Sequence, residues 1–146
     1  MLPTIAAATP ADLPAIFQLL DDNRLPRAGL DAHLATTLVA RDDGALVGTA
    51  ALELYGRAAL LRSVAVSSAQ RGRGLGQALT AAALDLGRQR GVAAVYLLTE
   101  TASEFFPKLG FRPVARADVD PAVLGSAEFS TACPQSALVM VRSLPY

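Results

Sequence analysis

The chain has 146 residues, 52% of them hydrophobic, and its 13 basic residues balance 13 acidic ones. That composition supplies the core of one domain, expected to span 1–146, and argues against disorder, while the neutral balance gives no reason to expect nucleic acid or an anionic membrane as partner. One cysteine and one histidine exclude an intrachain disulfide and a Cys- or His-built metal centre, so no metal is expected.

The opening "MLPTIAAATPADLPAIFQLL" has no basic n-region, and Pro10 and Pro14 interrupt its apolar residues. It does not read as a signal peptide, and no stretch approaches the ~18 uncharged apolar residues of a membrane span. A soluble, cytoplasmic protein is expected. Residues 4–8 read as a first strand. A helix follows over 9–23: Thr9 is suited to cap it, Pro10 to its first turn, and Leu13, Ile16, Phe17 and Leu20 repeat at helical spacing. Residues 24–35 read as a loop with a short helix. Two strand-like runs flank Asp42-Asp43-Gly44, a hairpin signal, and "AALLRSVAV" (58–66) continues an antiparallel meander.

The pattern then changes. From 74 to 90, Leu75, Leu79, Ala82, Ala83 and Leu86 trace one face of a helix, closed by Gly91. The apolar run 92–99 reads as a strand covered on both faces, so strand, helix and strand form a right-handed parallel crossover. A shorter helix is expected over 101–109, with Thr101 and Glu104 at capping-box spacing and Gly110 ending it. Short strands at 111–116 and 136–144 follow, separated by an irregular stretch with a short helix around 121–129.

Between the strand ending at Val66 and the helix lies "VSSAQRGRGLGQAL". Unsatisfied amides at a helix start, bare glycine backbone and two arginines together make an anion site. No Gly-Lys pair exists for a P-loop, and the third glycine of a dinucleotide fingerprint would fall on Gln77. What remains is Arg71-x-x-Gly74-x-Gly76. On these residues "SVAVSSAQRGRGLGQALTAAAL" resembles motif A of the GNAT superfamily of acyl-CoA-dependent N-acyltransferases. "FFPKLGFRPV" (105–114) resembles that family's second landmark, an aromatic pair before a Gly-Phe.

The resemblance implies the α/β GNAT fold: a central mixed, mostly antiparallel sheet with helices on both faces and two parallel strands that splay around the CoA site. It implies acetyl-CoA as acyl donor, its pyrophosphate on the amides of Arg71, Gly72, Arg73, Gly74, Leu75 and Gly76. The pantetheine arm would run beside Val64, Ala65 and Val66, with a backbone N–H stabilising the thioester oxyanion. "LLTETASEFFPKLGF" and "EFSTACPQSALVM" further resemble a GNAT subgroup associated with arsenic-resistance gene clusters, whose members acetylate small amino acids such as arsinothricin and phosphinothricin. That implies a small-molecule amine substrate and direct aminolysis. The exposed end strands permit a homodimer.

The catalytic groups depart from the family pattern. The tyrosine that often protonates the leaving thiolate falls at Phe106, which cannot donate a proton but can pack on the pantetheine. Tyr55 is the first substitute, with Tyr96, Cys133, Thr99, Thr101 and water behind it. The glutamate that some relatives use as base falls at Leu60. Glu100, at the carboxyl end of its strand, has the better address for a base, and Glu53 lies on the preceding strand. Arg62 interrupts an apolar strand. If inward, it needs a carboxylate from Glu53, Glu100 or an anionic substrate, for which it is a plausible clamp. Cys133 is a further substrate-site candidate, Arg24 and Arg27 lie on a loop that can approach the substrate, and His33 reads as structural. A protein N-terminal or lysine acetyltransferase, a non-catalytic acyl-CoA-binding module and a binder of another phosphorylated ligand remain alternatives.

Overall fold

The computed structural model describes residues 3–100, 102–132 and 136–144. Seven strands form one sheet: β1 (Thr4–Ala7), β2 (Thr37–Asp42), β3 (Ala45–Tyr55), β4 (Ala58–Val66), β5 (Ala94–Thr99), β6 (Arg112–Pro113) and β7 (Leu138–Ser143). Their order is β1-β2-β3-β4-β5-β7-β6, and every neighbouring pair is antiparallel except β4 with β5. Two α-helices, α1 (Leu13–Asp22) and α2 (Leu75–Gln89), cover opposite faces.

The meander follows from turn chemistry. At the β2–β3 hairpin, Asp43 (φ 51°) and Gly44 (φ 81°) both occupy the left-handed region, as a tight hairpin with the native strand twist requires. The α1 segment begins with a 3-10 turn at Pro10–Asp12, where the Thr9 N–H donates to the Asp12 carboxylate at 2.8 Å. Strand alternation then sorts the core. Leu52, Leu61 and Leu97 pack with Leu79, Ala83 and Leu84 of α2, while Ala51 and Ala65 face Ile16, Leu19 and Leu20 of α1. A third cluster joins Leu60, Tyr96 and Val141 to Val119, Val123 and Phe129 of the irregular segment. Each fully buried leucine side chain contributes about 1.5–3 kcal/mol of burial free energy.

Two irregularities shape the sheet centre. In β4, Ser63 and Val64 together oppose the single residue Ala50 of β3, a bulge in which Ser63 adopts φ 60°. And β4 pairs with β5 over only three residues, Ala58–Leu60 against Ala94–Tyr96, although β4 continues to Val66 and β5 to Thr99. Past those three rungs the parallel strands part.

Elsewhere the elements are tighter than the sequence suggests. The helix expected over 101–109 is a turn followed by a 3-10 segment, Phe106–Leu109, ended by Gly110 at φ 91°. Pro107 supplies no N–H for a longer ladder. Thr101 lies outside the described residues; the Ala102 N–H donates instead to Thr99 Oγ1 at 2.9 Å. The stretch around 121–129 resolves into a 3-10 segment, Pro121–Gly125, and a π turn, Glu128–Ala132.

Candidate active site

The parting of β4 and β5 opens a cavity of about 550 Å³, within the range of small-molecule sites. Its apolar wall comes from both strands and the aromatic landmark: Leu61, Val64, Val66, Leu97, Phe105 and Phe106. Phe106 is buried and meets Phe105 and Phe111 edge-on, at ring separations of 5.0 and 5.7 Å.

At one end stands the glycine-arginine loop. Gly74 is the N-cap of α2 and, like Gly72, has a left-handed backbone (φ 81° and 79°). A Cβ at either position would meet nothing within 4 Å, so these glycines serve backbone conformation and open access, not packing. The first backbone bond of α2 runs from the Ala78 N–H to the Gly74 carbonyl, which leaves the Leu75, Gly76 and Gln77 amides ahead of it with no intrahelical acceptor. Gly72, Gly74, Leu75 and Gly76 all line the cavity. The Arg71 guanidinium, on the same wall, donates to Asn23 Oδ1 at 2.7 Å. Donor amides, the positive end of a fifteen-residue helix and an arginine suit a phosphate group.

At the other end is a buried ionic network. Arg62 is 2% exposed, and its donors are distributed among Ser63 Oγ (3.0 Å, from Nε), the Ala28 carbonyl (2.6 Å) and Glu53 Oε2 (2.9 Å, both from Nη1), and the Pro26 carbonyl (3.1 Å, from Nη2). It therefore ties the loop after α1 to the bulge in β4, and an incoming carboxylate would have to share or displace these partners. Glu128 Oε2 lies 3.5 Å from Arg62 Nε. Tyr55 donates its hydroxyl to Glu53 Oε1, and His33 Nε2 stands 3.7 Å from the same oxygen. Burial alone would push the Glu53 carboxyl up. Hydrogen bonds from Tyr55, Arg62 and Ser126, with the nearby imidazole, outweigh that and hold it below the ordinary carboxylate value. Burial, followed by the bond to Glu53, raises the Tyr55 hydroxyl to about 12.

Among the predicted site residues, the cavity thus gathers Arg62, Val64, Val66, Glu100 and Phe106 with Arg71 and the glycine loop. Ala65 turns to the α1 side of the sheet. Glu53 and Tyr55 lie behind Arg62 and do not form the wall, nor does Arg73. Glu100 is exposed at the mouth. Cys133 lies outside the described residues. Sequence reasoning missed Glu128, 4% exposed and in the cavity wall, and Ser63, whose left-handed backbone makes the bulge. An acid in an irregular segment carries no periodic signal, and neither does a serine within a strand.

A mixed sheet split at the parallel pair β4–β5, with a glycine-capped helix start at the split, is the architecture of an N-acyltransferase. The profile of the acetyltransferase (GNAT) domain matches residues 33–113, and the chain belongs to that family. An amino-acid acetyltransferase of Mycobacterium tuberculosis (strain ATCC 25618 / H37Rv) is 31% identical over 123 residues, covering 77% of this chain and 70% of that protein. Among solved structures, N-acetylglutamate synthase from Neisseria gonorrhoeae, complexed with coenzyme A and N-acetyl-glutamate, superposes with a TM-score of 0.86 at 22% identity. That match covers 100% of this chain but only 36% of the synthase. A Mycobacterium tuberculosis protein solved with CoA superposes at 0.84 with 28% identity, over 98% of this chain and 100% of that one. Among the described residues no group of three or more His, Cys, Asp or Glu is arranged to hold a metal ion, and no helix is long and apolar enough to cross a membrane.

Proposed function

We propose that the protein, as a single domain over 1–146, transfers the acetyl group of acetyl-CoA to the primary amine of a small, amino-acid-like acceptor. The observation that carries this reading is the meeting of two features in one cavity: the phosphate-suited start of α2 and the unpaired, parting edges of β4 and β5. The loop from Arg71 to Gly76 would hold the pyrophosphate. The free edge of β4 around Val64 to Val66 would accompany the pantetheine, against Phe106. The similarity to an amino-acid acetyltransferase, and to structures that contain CoA, supports the donor and the class of acceptor. The resemblance to the arsenic-resistance subgroup makes compact acidic amino acids of the phosphinothricin type the first acceptors to try.

In the overall reaction an ammonium acceptor forms an N–C bond to the acetyl carbonyl as the C–S bond breaks. It gives up two protons, one ending on the thiol and one in solvent. Glu100, at the mouth, is suited to take the latter through water. Tyr55 is a poor candidate for the former: it is raised to about 12, donates to Glu53, and lies outside the cavity wall. No phenol lines the cavity among the described residues, so water is the proton source that fits. The same observation favours a second reading, an acyl-CoA-binding module without turnover.

Free-thiol release from acetyl-CoA, measured over a panel of amines that includes glutamate and phosphinothricin, separates the two. Release with at least one amino acid is expected. CoA binding without release across the panel would leave the binding module. Arg62→Ala, measured with the active acceptors, decides whether Arg62 is a clamp. A KM raised chiefly for acidic acceptors assigns it to the substrate, and an equal effect on all acceptors assigns it to the network.

A further inference from the structure

The segment 23–28, just after α1, links the two ends of the cavity. Asn23 accepts from Arg71 of the glycine loop at 2.7 Å, while the Pro26 and Ala28 carbonyls accept from Arg62 at 3.1 and 2.6 Å. Asn23, Arg24, Leu25 and Pro26 line the cavity. Three arginines thus stand in its wall among the described residues, and two of them are engaged. Arg62 is buried, with its donors directed to Ser63, Glu53 and the two carbonyls. Arg71 bonds Asn23 beside the phosphate-suited amides. Arg24 differs: it is exposed, and among the described residues its guanidinium has no hydrogen-bond, ion-pair or ring partner. Nearby Arg27 pairs with Asp21 over the Phe17 ring and does not line the cavity. The backbone adds a second observation. Arg24 has φ 57°; its N–H donates to the Asp21 carbonyl at 3.0 Å, and the Leu25 N–H donates to the Leu20 carbonyl at 2.9 Å. This is a Schellman closure of α1, whose left-handed position glycine fills without steric cost and arginine fills only under strain. Leu25 packs on the cluster that contains Leu20, so the turn is fixed from the core side. The other left-handed non-glycine residues among those described, Asp43 and Ser63, make the hairpin and the bulge. Arg24 stands where glycine would serve the backbone better, and the locked turn holds it at the cavity wall.

An amino-acid acceptor brings a carboxylate out of water, and that group needs a paired donor where it comes to rest. A guanidinium presents two parallel N–H donors in the plane that a carboxylate matches. We propose that Arg24 binds the α-carboxylate of the acceptor and so makes the site selective for amino acids over simple amines. Arg62 acts behind it as a positioning residue, by holding the carbonyls of the segment that carries Arg24. This rests on reading the cavity as the site of an amino-acid-like acceptor.

The test pairs each amino acid of a panel, glutamate and phosphinothricin among them, with its α-carboxamide, and follows free-thiol release from acetyl-CoA by the full chain. For the best acceptor, wild type prefers the acid to the carboxamide by about tenfold or more in kcat/KM, the size of a charge-assisted pair, and mainly through KM. Arg24→Gly brings the acid down to the level of the carboxamide and leaves the carboxamide within about twofold of wild type. Arg24→Lys keeps part of the preference. Glycine suits the left-handed turn, so Arg24→Gly should not lower the melting temperature, and unfolding cannot account for the loss. A preference for the acid that survives Arg24→Gly, or equal use of acid and carboxamide by wild type, overturns the assignment. A parallel loss of desulfo-CoA affinity in Arg24→Gly also overturns it, and gives Arg24 to the phosphates of the donor. Calorimetric titration of the desulfo-CoA-saturated chain with the same pairs separates the site from the reaction. Acid-selective binding that Arg24→Gly removes, in a protein that releases no thiol with any amine, upholds the carboxylate site and refutes the acetyltransferase reading. An acid bound no better than its carboxamide, or not bound at millimolar concentration, overturns the carboxylate site.

Discussion

Glu53 and Tyr55 are two residues apart on β3, so their side chains emerge on the same face, where the phenol caps the carboxylate. Because the folded protein raises the Tyr55 hydroxyl from 10.0 to about 12, it binds that proton more tightly than the unfolded chain does. The associated stability is present in full below pH 10.0 and is lost as pH rises toward 12. Subtracting the alkaline ultraviolet titration of Tyr55→Phe from that of wild type should leave a tyrosinate component with its midpoint near 12. A component centred at 10.0 would show that the phenol does not sense Glu53. At this scale the sequence was partly legible. An arginine inside "LLRSVAV" announces a buried charge in need of a carboxylate, and Glu53, one of the partners it implied, is the one hydrogen-bonded to it. Glu128 gave no such notice. It lies 66 residues from Arg62 in sequence (128 − 62), in a segment without periodicity, and only the packing of Val123 and Phe129 against the sheet brings it there.

Among the elements, α2 sets the site, and its seat is a glycine that the sequence reading passed over. At Gly48 on β3, a Cβ would lie 2.8 Å from Leu79 Cδ1 and 3.2 Å from Leu75 Cδ2. The first turns of α2 therefore rest directly on the backbone of β3, and the phosphate-suited amides are positioned by that contact. Gly48→Val should lift the head of the helix. We expect a loss of about 1–3 kcal/mol in urea unfolding from overpacking, together with weaker CoA binding. An unchanged CoA affinity would mean that the loop keeps its place without the helix seat. The meander and α2 were readable because hairpin residues and helical periodicity are local signals. The segment 101–109 was misread for a local reason as well: capping-box spacing and a closing glycine suggested a helix, but Pro107 limits it to a 3-10 turn.

For the whole molecule, the class of fold was legible from the two family motifs set in a succession of meander, crossover and late strands, but the order of the sheet was not. β7 inserts between β5 and β6, pairing with β5 over six residues and with the two-residue β6 on its other side. Nothing in the composition of 136–144 states which neighbours it takes, because strand partners are chosen by long-range packing.

The three-rung ladder between β4 and β5 has a mechanical consequence. It is a seam: the meander β1–β4 and the sheet half β5–β7 are stitched along one short backbone line, with α2 as the strap across the join. A molecule lying in the open part of the seam would act as a removable stitch. Hydrogen exchange should register it. Amides of 61–66 that do not bond to β3 should exchange about tenfold or more slowly with desulfo-CoA bound, a local stabilisation of about 1.4 kcal/mol. Those at the permanent rungs, 58–60, should hardly change. Equal slowing at both would mean that the ligand stiffens the protein as one body. The chain would then be a rigid plate with a groove, and not two leaves that a ligand fastens together.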